Sequence, residues 1–236
     1  MIAAPVLLEV CVETVGSAIA AERGGAHRIE LCSNLAVEGL TPGSDLIKEV
    51  RRRVSIPLHV LIRPRAGDFQ YTQAEFEAMK QEIRRAKQLR ANGVALGVLD
   101  AEGRVDVART RELVVLSRPL SVTFHRAFDV CGDLREALED VVETEADRIL
   151  TSGGARTAEE GLARLAELVK SASGRIGVLA SGSIRAGNVR GIVEATGVRE
   201  VHASLRDRRA AGIAGDLRAE VVARLVEAAG ARGFEF

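Results

Sequence analysis

Short apolar runs alternate with longer helix-period segments along the whole chain, and this alternation constrains the fold more than any other feature. The apolar runs predict eight strands, at 7–12, 28–32, 58–63, 93–99, 120–125, 147–151, 175–179 and 198–204. The other segments predict helices at 15–23, 46–53, 73–90, 107–117, 134–143, 158–171, 186–195 and 217–229. Because parallel strands need crossover connections, repeated strand–helix units predict a parallel sheet.

Eight such units in 236 residues predict an α/β protein with a (β/α)₈ TIM barrel, as a single domain over 1–236. An open, doubly wound sheet is the alternative. Such sheets usually carry a glycine-rich turn after the first strand, whereas this chain has Cys11-Val12-Glu13-Thr14 there. Thr72 with Glu75, and Thr157 with Glu160, have the spacing of capping boxes at the starts of the third and sixth helices.

Charge and composition exclude several classes of partner. Lys+Arg and Asp+Glu number 33 each, and no basic run of the kind that binds nucleic acid is present. No apolar stretch is long enough to cross a membrane, and the first eight residues have no secretory pattern. Three cysteines, an odd number, indicate a reducing cytoplasm rather than a disulfide framework. A homodimer or small homo-oligomer fits the general preference for symmetric assemblies.

Polar residues near the carboxyl ends of the strands predict the functional site, because TIM barrels place their chemistry there. Strand one contains Glu9 and Cys11, and strand two contains Glu30 and Cys32, so a Glu-x-Cys pattern puts both side chains of each strand on one face. Neighbouring strands lie about 4.8 Å apart, so two thiols at matching heights can come within joint metal-binding range, although the sequence does not give the register. Further polar side chains follow at the same end: His59, Arg63, Arg65, His125, Arg126, Asp129, Ser152 and His202.

Five separated segments carry a resemblance to a known family. They read LEVCV at 8–12, RIELCSNL at 28–35, IRPR with GDF at 62–69, VTFHRAFD at 122–129 and LTSGG at 150–154. Because these segments are spread along the chain, the chain resembles the CutC family over essentially its whole length. The resemblance implies a cytoplasmic barrel with a role in copper homeostasis. The resemblance implies that Cys11 and Cys32 bind copper, and thiolates suit Cu(I). The chain departs from the family pattern at ASGS (180–183), where PGGG is expected, at Glu38-Gly39 and at Ala66.

The individual residues leave alternatives open. Cys11 and Cys32 can be small core residues, since free cysteine is often buried. Glu9 and Glu30 can be structural carboxylates that are neutralised by arginines, and the candidates for that role are Arg63, Arg65 and Arg126. Cys131 is predicted to be an incidental loop thiol, with a third sulfur ligand as the alternative, and His59 a hydrogen-bonded core residue. His27 receives no role, and His202 stays open between the mouth and the core.

An enzyme is the second functional hypothesis. In it, Glu9, Glu30 and His125 are acid–base groups, and Arg63 holds a small anionic carbonyl or sugar-like substrate. The further ligand contacts in this hypothesis come from Arg65, Arg126, Asp129, Ser152 and Gly153. The glycine turns after strands six to eight can cradle phosphate or can simply be tight turns, and the ASGS segment weakens the phosphate interpretation. A non-catalytic barrel that binds partners through its surface is the third hypothesis.

Overall fold

The computed structural model describes residues 5–205 and 217–230, in which eight parallel strands close into a barrel. The strands are β1 (Leu7–Val12), β2 (Arg28–Leu31), β3 (Leu58–Leu61), β4 (Gly93–Leu96), β5 (Ser121–Phe124), β6 (Arg148–Thr151), β7 (Gly177–Ala180) and β8 (Glu200–Ala203). Each strand pairs with the next, and β8 pairs with β1. The predicted (β/α)₈ barrel is therefore confirmed. The predicted domain over 1–236 also includes 1–4, 206–216 and 231–236, which lie outside the described residues.

A helix follows every strand and covers the outside of the barrel. These helices are α1 (Val15–Arg23), α2 (Ser44–Arg53), α3 (Gln73–Gln88), α4 (Val107–Ser117), α5 (Leu134–Glu143), α6 (Leu162–Ala172), α7 (Val189–Thr196) and α8 (Ala219–Ala228). Thr72 and Glu75 form the predicted capping box of α3, in which each side chain binds the other's backbone N–H. Within the described ranges, the structure has no helix with the length and apolar character needed to cross a membrane.

Some elements are shorter than the apolar patterns that predicted them, whereas β1, α1, α4 and α5 have the predicted bounds. The fourth strand ends at Leu96 rather than at residue 99, although Val98 and Leu99 are buried, because the loop after the strand folds back into the core. Helix α6 begins at Leu162 rather than at residue 158. A turn precedes it, and Thr157 Oγ1 accepts a hydrogen bond from Glu160 N at 3.2 Å without the reciprocal bond of a capping box.

Successive side chains of each strand point alternately to the outside and to the inside of the barrel, and the two sides are different environments. Residues such as Leu8, Val10, Ile29 and Leu31 belong to the main apolar core, which includes buried faces of the helices. Inside the barrel a much smaller apolar cluster joins Cys11, Cys32, Leu61 and Ala95. Buried charged and polar side chains share this inward parity: Glu9, Arg28, Glu30, His59, Thr123 and His125. The interior of this barrel is therefore largely polar.

Glycines on and just after β4 make room for two imidazoles inside the barrel. A Cβ atom on Gly93 would lie 2.4 Å from His59 Nε2, which is too close for any side chain. A Cβ atom on Gly97 would lie 2.7 Å from His125 Nδ1. His59 lies on β3, and His125 directly follows β5, and both strands are neighbours of β4. The two imidazole rings therefore fill the space that the missing side chains of Gly93 and Gly97 leave.

Candidate metal centre

Two thiols meet at the carboxyl ends of β1 and β2. Cys11 lies on β1 opposite Glu30, and Cys32 follows the last residue of β2. The two Sγ atoms are 3.5 Å apart, and the side chains are 7% and 0% exposed. Cys32 Sγ also donates to the carbonyl of Val12 at 3.6 Å. The Glu-x-Cys pattern thus brings both sulfurs to one point inside the barrel.

Glu9 lies deeper on the same inner face of β1 and is fully paired. One carboxylate oxygen accepts a hydrogen bond from Arg28 Nε, and the other lies 2.7 Å from His202 Nδ1. Burial acts to raise the pKa of Glu9, but the Arg28 charge and the His202 hydrogen bond outweigh it and hold this pKa well below its usual value. The sequence analysis named Arg63, Arg65 and Arg126 as candidate counter-ions of the buried carboxylates. For Glu9 the counter-ion is instead Arg28, which lies directly beside it in the β1–β2 register.

His202 on β8 joins the carboxylate to the thiol. Its Nδ1 lies 2.7 Å from Glu9 Oε1, and a nitrogen of the same ring lies within 4.8 Å of Cys11 Sγ. Burial acts to lower the pKa of His202, but the hydrogen bonds to Cys11 and Glu9 and the charge of Glu30 outweigh it, so this pKa is raised well above 6.5. The ligand atoms of Cys11, Glu30 and His202 all lie within 4.8 Å of one another.

The Glu30 carboxyl group and the Cys11 thiol both have raised pKa values, which favour their protonated forms. Burial is the largest cause that raises the pKa of Glu30 to about 7, and its Oε1 atom lies 3.9 Å from Cys11 Sγ. The hydrogen bond to Cys32, and then burial, raise the pKa of the Cys11 thiol well above 9.0. Thiolates and a carboxylate this close disfavour one another unless a cation lies among them.

His125 directly follows β5 and has one nitrogen without a partner among the described residues. Its Nδ1 accepts a hydrogen bond from Ala127 N at 3.2 Å, and its ring packs on Phe69 with centroids 4.9 Å apart. The Nε2 atom is buried and makes no hydrogen bond with any described residue. Burial, followed by the nearby Arg63 charge, lowers the pKa of His125 to about 3, so the ring is neutral. His59 is buried in the core as expected, but its Nδ1 lies 3.9 Å from Glu9 and has no hydrogen-bond partner among these residues, contrary to expectation.

Arg63 and Arg65 bind residues of the loops at the mouth of the barrel. The Nη atoms of Arg63 donate to the carbonyls of Val37 at 2.8 Å, Gly39 at 3.0 Å and Gly67 at 3.0 Å. Arg65 binds the carboxylates of Asp68 and Glu75, each at 2.7 Å. The Nη atoms of Arg63 and the guanidinium of Arg65 are therefore already engaged by the protein, whereas Arg63 Nε is buried and has no hydrogen-bond partner among the described residues.

The residues after β5 and β6 bind one another. Arg126 Nε donates to Asp129 at 2.8 Å, and Arg126 Nη2 donates to Ser152 Oγ at 2.9 Å. Asp129 also accepts the backbone N–H groups of Ser152 at 3.1 Å and Gly154 at 3.0 Å. Gly153 and Gly154 have φ of +73° and +72°, as tight turns require. The N–H groups that a phosphate would use at this turn already bind a carboxylate of the chain.

Cys131 lies apart from the other two thiols. Its Sγ donates to the carbonyl of Ala127 at 3.6 Å, and the residue belongs to the main apolar core rather than to the cluster that contains Cys11 and Cys32. Burial raises the pKa of this thiol to about 11.

Comparison with known proteins places the chain in a family. The model of the CutC family matches residues 6–207. The chain belongs to the CutC family. It is 46% identical over 207 residues to a CutC family protein of Chromobacterium violaceum, covering 88% of this chain and 84% of that relative. It is 45% identical over 207 residues to the copper homeostasis protein cutC homolog of Homo sapiens, covering 88% of this chain and 76% of that relative.

Solved structures agree with this assignment to the CutC family. The crystal structure of CutC from Streptococcus agalactiae superimposes with a TM-score of 0.80 at 32% identity and covers 84% of this chain and 97% of that chain. Phosphoribosylanthranilate isomerase from Pyrococcus furiosus reaches a TM-score of 0.62 at 14% identity, covering 95% of this chain and 98% of that chain, which shows a shared barrel fold alone.

In this CutC family member, sequence reasoning missed Arg28 as part of the site and left the role of His202 open. The register places both directly beside Glu9, with His202 on one neighbouring strand and Arg28 on the other. Inward parity and the closure of β8 on β1 were the available indications. The structure brings Cys11, Cys32, Glu9 and Glu30 together as expected, whereas the arginines of the loops hold backbone carbonyls and other carboxylates.

Proposed function

We propose that this protein binds copper as Cu(I) through the thiols of Cys11 and Cys32 and acts in copper homeostasis. The observation that carries the proposal is the 3.5 Å separation of the two sulfurs at the mouth of the barrel. The name of the human relative, a copper homeostasis protein cutC homolog, supports the same conclusion. Soft thiolate ligands select Cu(I), and two or three of them suffice for it.

The geometry and the charges of the donor set fit such an ion. Metal–sulfur bonds of about 2.3 Å allow two sulfurs on one ion to lie up to about 4.6 Å apart, so one ion can bind both sulfurs at their observed 3.5 Å separation. The pKa of the Cys11 thiol is raised because Cys32 and burial oppose its ionisation. A cation between the sulfurs replaces the protons, so binding releases protons and strengthens with pH.

We further propose that the protein is a cytoplasmic, single-domain protein that forms a homodimer or small homo-oligomer. The three cysteines are free, which fits a reducing compartment. Light scattering coupled to size-exclusion chromatography measures the assembly, and fractionation of cells measures the location.

An anaerobic titration with Cu(I) against a chromophoric Cu(I) chelator tests the proposal. We expect the wild type to compete for Cu(I), and the double variant Cys11→Ser/Cys32→Ser to lose at least about 100-fold in affinity, because hydroxyls are poor ligands for this ion. Cys131→Ser is the matched control, since Cys131 is also buried but lies outside the pair. Equal affinity of the double variant and the wild type would refute the proposal.

The enzyme hypothesis has less support. It assigned Arg63 to an anionic substrate, but both Nη atoms of this side chain already bind backbone carbonyls, which leaves only Nε without a partner among the described residues. It assigned His125 to proton transfer, but the pKa of this ring is lowered to about 3, far from the pH at which a general base works well.

A further inference from the structure

Cys11 has a second set of neighbours that does not include Cys32. The carboxylate of Glu30 and the imidazole of His202 offer an oxygen and a nitrogen, and these atoms and Cys11 Sγ lie within 4.8 Å of one another. We propose that Cys11, Glu30 and His202 form a binding site for a divalent cation of the Zn²⁺ type. This site shares Cys11 with the copper site but does not depend on Cu(I) binding.

The donor set is that of a divalent ion of intermediate softness. Zn²⁺ accepts sulfur at about 2.3 Å and nitrogen or oxygen at about 2.0–2.2 Å, so its ligand atoms lie roughly 3.3–4 Å apart. The distance between Cys11 Sγ and Glu30 Oε1, 3.9 Å, already falls in that range. Cu(I) instead favours the two sulfurs. One thiol can thus serve two ions by pairing with different neighbours.

The imidazole is already oriented for such a role. Glu9 lies 2.7 Å from Nδ1 of His202, so Nε2 is the ring nitrogen that Glu9 leaves free for an ion. Glu9 is in turn held by Arg28. A carboxylate that binds the second nitrogen of a metal-bound histidine fixes the orientation of the ring and raises its basicity. Little rearrangement of His202 is therefore needed on binding.

Charge balance favours a divalent ion at this position. A thiolate and a carboxylate together carry two negative charges, which a divalent cation neutralises within a buried site. Cys11 and Glu30 are 7% and 5% exposed, so an uncompensated charge there is costly.

Three protein ligands leave a fourth position open, as in zinc sites that hold a water molecule. Ser181 follows Ala180, which pairs with Val201, so Ser181 comes beside His202 in the same parity. Its hydroxyl is buried and has no hydrogen-bond partner among the residues that the structure describes. The end of β7 thus places a hydroxyl without a partner among the described residues beside His202, on the inward face of the barrel.

Anaerobic titration of the full chain with Zn²⁺ against a chromophoric zinc chelator, in parallel with Cu(I), tests the inference. We expect His202→Asn and Glu30→Gln to weaken Zn²⁺ binding by about 100-fold, because each removes a ligand. We expect Cys32→Ser to weaken Cu(I) alone, Cys11→Ser to weaken both ions, and Cys131→Ser to change neither. Co²⁺ is the spectroscopic probe, and its sulfur charge-transfer band is expected in Cys32→Ser but not in Cys11→Ser.

The outcomes separate the two sites. If Cys32→Ser weakens Zn²⁺ as much as His202→Asn does, or if the wild type binds no Zn²⁺, the divalent site is refuted and the copper proposal is untouched. If Cys32→Ser leaves Cu(I) binding intact while His202→Asn and Glu30→Gln abolish Zn²⁺ binding, the divalent site is supported and Cys32 is not a copper ligand. Glu30→Gln keeps the side-chain shape, so it decides the question should His202→Asn fail to fold.

Discussion

Replacing Arg28 by methionine removes the counter-ion of a carboxylate that water cannot reach. Glu9 is 1% exposed, and Arg28, 4% exposed, binds both Glu9 and Glu200. Breaking a buried ion pair from one side typically costs about 3–5 kcal/mol, because the remaining charge stays buried. His202 still contacts Glu9 in the variant, so we expect the lower end of that range, about 3 kcal/mol. For a protein of this size that loss lowers Tm by about 6–12 °C.

Urea unfolding and calorimetry at pH 7 on the metal-free protein measure this effect. Glu9→Gln/Arg28→Met removes both charges, and we expect it to recover a large part of the lost stability. Arg53→Met is the matched control: Arg53 pairs with Glu49 on the surface of α2, so its loss costs only about 0–1 kcal/mol. A loss below about 1 kcal/mol in Arg28→Met, or a double variant less stable than Arg28→Met, would refute the reasoning.

Three further predictions concern packing, a loop and pH. Gly93→Ala is expected to lower the free energy of unfolding by about 1–3 kcal/mol, because its Cβ would overlap the His59 ring. In the control Gly191→Ala on α7, the new Cβ meets no other atom, and we expect the free energy of unfolding to rise by about 0.5–1 kcal/mol. Equal stabilities of the two variants would argue against this packing. Asp129→Asn is expected to cost about 1–3 kcal/mol because its amide cannot accept every N–H and hydroxyl bond of the carboxylate, and an unchanged Tm would contradict that. The pKa of His125 is about 3 in the folded protein and about 6.5 in an unfolded chain, so only the unfolded state binds this proton between those values. His125 therefore lowers the free energy of unfolding by about 1.4 kcal/mol for each unit that the pH falls through this window. In urea titrations from pH 6.5 to pH 4.5, we expect His125→Asn to lose less stability per pH unit than the wild type. Identical slopes would exclude a neutral His125.

The fold follows from local information in the sequence. Hydrophobic periodicity and cap residues such as Thr72 act over a few positions, and eight repeated units leave few topologies other than a closed barrel. The boundaries were less accurate because apolar residues such as Val98 and Leu99 remain buried after the ladder of hydrogen bonds ends.

The candidate site was predictable only where its parts are close in sequence. Cys11 and Cys32 lie on consecutive strands, so parity and strand adjacency bring their sulfurs together. His202 reaches Glu9 only because β8 closes on β1, across 193 positions of the chain. Arg28 begins its strand, at the end away from the mouth, and only the register shows that it lies beside Glu9. Strand register is a long-range property that periodicity does not contain.

The pairing of β1 with β8 has a consequence for the order in which this protein is assembled on the ribosome. Cys11, Arg28 and Cys32 all emerge with the first two strands, so the ion pair and both sulfurs can come together while most of the chain is still untranslated. His202 arrives with the last strand and reaches Glu9 only when the barrel closes. A nascent chain therefore contains both thiols before the imidazole that completes the pairing of Glu9 has been synthesised.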